Sequence, residues 1–562
     1  MVQTPVLLQD LLWASAGRNA QALAVTHHGV GTALAQQGSL GPHCSYGQLA
    51  RQVEQWAAGL MGLGLQRGER VAIYLEKRLE VVVASFGTAA AGLCFVPVNP
   101  LLKAEQVAYI LRDSNVRLLV TSPERLALLA ASLAGCPDLR FVALTATPTD
   151  ALAGALGGLA PSMAGKTMLA WASLQQTAPA TGHRVIDRDM AAILYTSGST
   201  GHPKGVVLSH RNLVAGAQSV ASYLENGPQD VLLAALPLSF DAGFSQLTTA
   251  FSVGARVVLL NYLLPRDVLK TMERESVTGL TAVPPLYMQL VSQAWPEKIK
   301  QNLRYFANTG GHMPLETLKQ IRQHVPHAKP YLMYGLTEAF RSTYLPPEQV
   351  DLRPDSIGKA IPNAEILVLR ADGSACAANE PGELVHRGAL VAQGYWNDPE
   401  KTAERFKPLP GATGLQLPEL AVFSGDTVRR DAEGYLYFVA RRDDMIKTSG
   451  YRVSPLEIEE ILYASPLVTE CVAFGVSHAS LGQVIQVVAS GSPAAESTKE
   501  STPAIVQSQL LALCRERLPG YMVPTGVQWS QVPLPRNPNG KLDRGLIQRL
   551  WSMPSPSNPS LP

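Results

Sequence analysis

The early part of the chain alternates short apolar runs with amphipathic stretches, and that rhythm leaves few folds open. Tyr46 to Leu63 sets Leu49, Val53, Trp56, Ala57 and Leu60 at helical spacing, and Arg70 to Leu75 is a compact apolar run. The pattern predicts a helix over Arg78 to Ala91, a strand over Phe95 to Val98, a helix over Gln106 to Asn115 and a strand over Val116 to Thr121. Short apolar strands separated by helices build a mostly parallel sheet with helices on its faces. Further strands are expected over Asp230 to Leu238, Ala255 to Leu260 and Leu280 to Val283. Residues 146–183, rich in Ala, Gly, Pro and Thr, read as a poorly packed connection.

At 562 residues the chain exceeds one compact core; at about 150 residues per domain it should hold three or four units. Lys plus Arg (47) nearly balance Asp plus Glu (45), so no global field favours nucleic acid or an anionic membrane. Six scattered cysteines without CxxC spacing argue against a disulfide framework or a zinc site, and a reducing cytoplasm fits best. Met1 to Gly17 lacks a basic start and carries Asp10, so no signal peptide is expected. Val81 to Leu102 is uncharged over the length of a membrane span. Its Ser85, Gly87, Thr88, Gly92, Pro97, Asn99 and Pro100 instead suit a buried helix, a turn and a strand.

Leu194 to Gly205 reads Leu-Tyr-Thr-Ser-Gly-Ser-Thr-Gly-His-Pro-Lys-Gly, between apolar runs that predict two strands. Gly198, Gly201 and Gly205 allow close backbone approach, Thr196, Ser197, Ser199 and Thr200 add hydroxyls, and Lys204 adds a cation. That inventory suits a polyphosphate. The order differs from Gly-x-x-x-x-Gly-Lys-Ser/Thr; around Gly165-Lys166-Thr167 the first glycine is replaced by Ala160, which disfavours a P-loop kinase or ATPase.

The stretch resembles the signature of the adenylate-forming superfamily, which includes acyl-CoA synthetases, adenylation domains of nonribosomal peptide synthetases and luciferases. Tyr334-Gly335-Leu336-Thr337-Glu338, Ser424-Gly425-Asp426, Arg441 to Lys447 and Pro535 to Lys541 resemble its later motifs, in its order and over nearly the whole chain. Ser45 to Leu49, Phe95 to Pro100, Gly382-Glu383-Leu384 and Gly394-Tyr395-Trp396 resemble structural motifs.

The resemblance implies an α/β fold: a large N-terminal core of αβα layered subdomains (1–443), a small mobile α+β lid (444–551) and a disordered tail (552–562). It implies ATP and Mg2+ as cofactors. Thr196 to Gly201, Gly310, Gly311 and Gly335 would contact the nucleotide; Tyr334 would stack on adenine, and Asp426, helped by Arg441, would hold the ribose. Thr337 would contact the α-phosphate, Glu338 the metal, Lys204 the departing pyrophosphate, and Lys541 would be catalytic. Asp443 would be the hinge, with Ser454 and Pro455 opening the lid's first helix. A low-complexity insertion is expected over Ser490 to Pro503.

Phe240-Asp241 falls where amino-acid-activating domains carry Phe-Asp, whose carboxylate pairs with the α-ammonium. Gly243 departs from the usual Phe-Asp-x-Ser. Met333, Arg341 and Ser342 would lie at the acid pocket, and their region is similar to stand-alone proline-type ligases and to exosortase-associated acyl-CoA ligases. No Gly-x-Asp-Ser-Leu/Ile carrier motif is present, Arg353 to Ile357 lacking the glycine, so the acceptor is expected in trans. The favoured expectation is a small amino acid loaded onto a separate carrier protein. The alternative is an acyl-CoA ligase for a small organic acid. A catalytically dead interaction protein is disfavoured because Lys204, Glu338, Asp426 and Lys541 are all present.

Overall fold

The computed structural model describes residues 4–28, 43–146, 163, 165–176, 182–196, 203–409, 419–441, 444–448, 451–478, 482–491, 503–518, 520–537 and 540–552. Ser197 to Gly201, Asp443, most of the low-complexity stretch and the tail beyond Ser552 lie outside them.

Among the described residues the strands form three sheets. The first has seven strands, with Arg70–Tyr74 between Cys94–Pro97 and Val116–Thr121, all parallel. Its edge is the antiparallel hairpin Met190–Thr196 and Lys204–Ser209, which sets Thr196 opposite Lys204 at the base of the glycine-rich loop. The second has fourteen strands: a parallel half from Leu23–His28 to Lys329–Gly335, continued by antiparallel strands to Ala364–Leu369. The third, of five strands, lies within residues 446–530 and is covered by the helices Pro455–Tyr463 and Pro503–Arg517.

Helix Leu79–Ala90 is buried around its whole circumference, which accounts for the uncharged run from Val81. Its Phe86 meets Phe244 and Phe251 at 5.9 and 5.2 Å, locking it against helix Asp241–Val253 in one core shared by the two large sheets. No helix among the described residues is long and apolar enough to cross a membrane, and all six cysteines are buried free thiols.

Three local expectations change. The strand expected over Asp230 to Leu238 stops at Ala234, because Pro237 has no amide to donate and the buried Lys77 ammonium takes the carbonyls of Ala235 and Leu236. Within 146–183, Thr167–Ala170 joins the first sheet, and buried Trp171 stacks on Trp56 at 4.1 Å, so this part of the connection is packed. Ser454 does precede helix Pro455–Tyr463, but its hydroxyl donates to the Val439 carbonyl instead of capping the helix.

Two buried histidines give the fold an acid-sensitive element. His210 Nδ1 accepts from the Leu8 amide at 3.1 Å, and His386 Nδ1 lies 2.9 Å from the Ser342 hydroxyl. Burial, which penalises imidazolium, pulls both down to about 4. Between about pH 6.5 and 4 the unfolded chain therefore binds protons that the folded chain refuses, and stability falls as pH drops through that window. Each histidine should cost on the order of 3 kcal/mol by pH 4. Urea midpoints measured from pH 7 to 4.5 should fall, with a shallower slope for His386→Gln; equal slopes would exclude that histidine.

Candidate active site

The parallel strands Gly279–Ala282, Tyr305–Asn308 and Lys329–Gly335 end side by side, and Gly310, Gly311 and Tyr334 to Glu338 lie at the carboxyl ends of the last two. Ligands in open α/β sheets occupy such edges, where backbone amides and loops are free to converge. Gly310 and Gly311 follow the second strand, Asn308 Nδ2 donating to the Gly311 carbonyl at 3.0 Å and its Oδ1 accepting from the Met333 amide at 3.2 Å. Tyr334 to Glu338 follow the third, and the chain re-enters the sheet through Phe340 at φ +55°. Gly335 is required by this turn, since an added Cβ would meet the Phe340 carbonyl oxygen at 2.3 Å.

Tyr334 donates to Asp426 Oδ2 at 2.5 Å, and the Arg441 guanidinium stands 3.5 Å from Oδ1. Burial raises the Asp426 carboxyl above its ordinary range, with Arg441 and the Tyr334 hydrogen bond opposing. The turn is fixed from below: Ser424 donates to the Leu384 carbonyl at 2.6 Å, and Gly425, at φ +67°, donates to Glu383 Oε1 at 3.0 Å. The Gly382-Glu383-Leu384 motif thus supports the turn that presents Asp426.

Glu338 receives the Tyr395 hydroxyl on Oε1 at 2.5 Å and has the Arg405 guanidinium 4.0 Å away. Lys204 lies 5.3 Å above the Tyr395 ring. The segment carrying Tyr395 pairs with strand Lys204–Ser209, Trp396 donating to the Gly205 carbonyl at 2.7 Å, so the Gly394-Tyr395-Trp396 motif ties Lys204 to Glu338. Residue order marks neither Tyr395 nor Arg405 as a site residue; Tyr395 stands inside a motif that reads as structural, and Arg405 stands in none.

Lys541 arrives from beyond the small sheet, with the Asn537 amide donating to the Lys541 carbonyl at 2.8 Å and Arg536 Nη1 donating to the Gly540 carbonyl at 2.7 Å. Its side chain reaches Gly310, where an added Cβ would stand 3.1 Å from Lys541 Cε. Burial pushes this ammonium below the ordinary lysine range, reinforced by Arg441 and Arg341 and opposed by Asp241 and Asp426. The His312 Nε2–Glu460 hydrogen bond at 2.7 Å and the Leu315 amide on Glu460 hold the small sheet in this orientation.

Asp241 opens helix Asp241–Val253 behind buried Phe240 and accepts from the Thr337 hydroxyl at 3.3 Å. Gly243 is explained by contact: an added Cβ would lie 1.6 Å from the Pro237 carbonyl oxygen. Met333 and Arg341 line a narrow cavity behind this helix, with Ser245, Gln246, Thr249 and Thr281. Ser342, next along the strand, does not line it; strand alternation turns its hydroxyl to His386.

The sequence matches the AMP-binding enzyme family over residues 14–396 and the AMP-binding enzyme C-terminal domain over residues 457–541. The L-proline–(L-prolyl-carrier protein) ligase of Streptomyces coelicolor is 31% identical over 542 residues, 92% of this chain and 93% of that protein. The long-chain-fatty-acid–CoA ligase of Escherichia coli O157:H7 is 30% identical over 534 residues, 90% of each. The chain spans only 9% of a linear gramicidin synthase polypeptide of Brevibacillus parabrevis, to which it is 29% identical over 506 residues. Its fold matches the crystal structure of the anthranilate CoA ligase AuaEII in complex with anthranoyl-AMP with a TM-score of 0.80, at 24% identity and covering 98% of both chains. From the extent of these matches, the chain belongs to the AMP-binding enzymes of the adenylate-forming superfamily and is an ATP-dependent, adenylate-forming acid–thiol ligase.

Proposed function

We propose that the chain activates a small amino acid as its aminoacyl-adenylate and transfers it to the phosphopantetheine thiol of a separate carrier protein. The observation that carries this reading is Asp241, a carboxylate on the first turn of helix Asp241–Val253, on the face that runs into the cavity. A carboxylate one helical turn before the cavity-lining Ser245 suits a substrate that brings its own cation. Carrier-protein ligases for L-proline among the relatives support the acceptor.

In the first half-reaction the substrate carboxylate oxygen bonds to the α-phosphorus of ATP as the bond to pyrophosphate breaks. The carboxylate is itself the nucleophile, so the protein supplies alignment and charge stabilisation. Lys541, whose cationic form is disfavoured by burial, is stabilised by the arriving carboxylate and phosphate oxygens and bridges them. Lys204 receives the departing pyrophosphate, Thr337 the α-phosphate, and Asp426 the ribose hydroxyls. Mg2+ needs only one carboxylate and several phosphate oxygens. Glu338 would hold it, and the ion would neutralise triphosphate charge. We further propose that residues 444–551 act as a lid turning about Asp443 to withdraw Lys541. A thiol then bonds to the acyl carbon and AMP leaves.

An acyl-CoA ligase for a small organic acid is the second reading, favoured by the CoA ligase relative. ATP–pyrophosphate exchange over amino acids and their desamino analogues separates the two. Exchange is expected with the amino acids and should drop about 100-fold or more when the ammonium is missing. Turnover of the desamino acids alone would refute the amino-acid reading.

A further inference from the structure

The cavity behind helix Asp241–Val253 contains a charge with no counter-charge. Arg341 is 1% exposed. Its Nη1 donates to the Thr309 hydroxyl at 2.6 Å, its guanidinium lies 5.5 Å from the Phe340 ring, and the Tyr223 hydroxyl is its other polar neighbour. All three are neutral, and among the described residues no carboxylate lies within ion-pair distance. Among the described residues Nε has no hydrogen-bond partner. Buried arginine is normally paired, because removing its hydration is repaid only by an anion.

The same cavity holds two more unsatisfied polar atoms, Thr249 Oγ1 and Gln246 Oε1. Arg341 Nε and the Thr249 hydroxyl are donors; Gln246 Oε1 is an acceptor suited to a hydroxyl or N–H of the same guest. Apolar residues close the remaining walls, among them Val220, Leu232 and Leu233. Asp241, Ser245 and Thr249 follow one another at four-residue spacing along one helix face. That face runs from Asp241 to Thr249 over about 12 Å.

We propose that the acid this enzyme activates carries a second carboxylate, remote from the one that is adenylated, and that Arg341 with Thr249 binds it. This rests on the adenylation reading and narrows its substrate class: an acidic amino acid where Asp241 takes the ammonium, a short dicarboxylic acid where it does not. Arg341 is then a specificity-determining residue, since it would leave its charge unpaired against any neutral chain.

The test is ATP–pyrophosphate exchange by the full chain with L-glutamate, L-aspartate, glutarate and succinate, set against L-glutamine, L-proline and valerate. Within each pair matched for the ammonium, L-glutamate over L-glutamine and glutarate over valerate, the acid with a second carboxylate should lead in kcat/KM by at least about 100-fold. In Arg341→Met that ratio should collapse to near one. Arg341→Lys keeps the charge without the planar fork and should retain the preference at a raised KM, which carries the test if the methionine variant does not fold. Neutral acids used as well as or better than the acidic ones by the unaltered chain, or an unchanged ratio in Arg341→Met, would overturn the proposal. Exchange with no acid whatever would instead overturn the adenylation reading beneath it.

Discussion

Replacing Lys541 with alanine is expected to cut acid-dependent pyrophosphate exchange by about 10²–10³-fold or more, while thioester formation from a supplied acyl-adenylate stays within about tenfold of the parent. The expectation follows from placement. Lys541 is the only one of the expected catalytic residues that reaches the site from beyond the small sheet, and its Cε stands against Gly310 at the end of strand Tyr305–Asn308. Its ammonium is held below its ordinary range chiefly by burial, so arriving anions stabilise its charge. A group used that way matters for joining carboxylate to phosphate and is dispensable once the phosphoanhydride exists. Equal losses in the two half-reactions would mean that Lys541 serves both, and the proposed lid movement would have to be abandoned.

The second large effect concerns Gly243, which departs from the Phe-Asp-x-Ser pattern. A Gly243→Ser protein should lose about 1–3 kcal/mol of stability, or more, because its Cβ would have to displace the Pro237 carbonyl oxygen now 1.6 Å from that position. Relief requires moving either the first turn of helix Asp241–Val253 or the segment before it. The buried Lys77 ammonium holds that segment through the Ala235 and Leu236 carbonyls. Asp241 sits on the turn that would move, so the KM for the acid should rise along with the loss of stability. Thermal unfolding and pyrophosphate exchange read the two effects, and an unchanged unfolding midpoint would show that the helix start can relax freely. Gly243 thus reflects how tightly this backbone packs, and it says little by itself about which acid is bound.

Much of the scaffold could be read from residue order because its strands and helices are locally determined. The expected strand Val116 to Thr121 is found with those bounds, and the expected helix over Tyr46 to Leu63 forms as Tyr46–Gly62, its Ser45 cap accepting from the Gln48 amide. Where tertiary contacts overrule local pattern, the reading failed. Strand Val231–Ala234 ends early because a lysine over 150 positions away takes its carbonyls, and Ser454 gives its hydroxyl to Val439. The candidate site was legible where a motif marks it, at Tyr334, Glu338, Asp426 and Lys541. Arg405, Thr249 and Gln246 carry no such mark, since only the folded chain brings them to Glu338 and to the cavity. Arg341 and Ser342 look alike as neighbours in sequence, yet alternation along strand Arg341–Leu345 sends one into the cavity and the other to His386.

The edge strand Leu23–His28 pairs with Arg256–Leu260, and the Ser15 hydroxyl donates to the Phe251 carbonyl 236 residues further on. At ribosomal speeds of about 5–20 residues per second, this opening segment waits on the order of 10–50 s before its partner is made. Helix Leu8–Arg18, with Leu8, Leu11 and Leu12 fully buried in the finished molecule, spends that interval without its docking face. Such distant pairings make closure of the large sheet slow. Newly made chains should therefore depend on chaperone protection of the N-terminal segment until residue 260 has emerged.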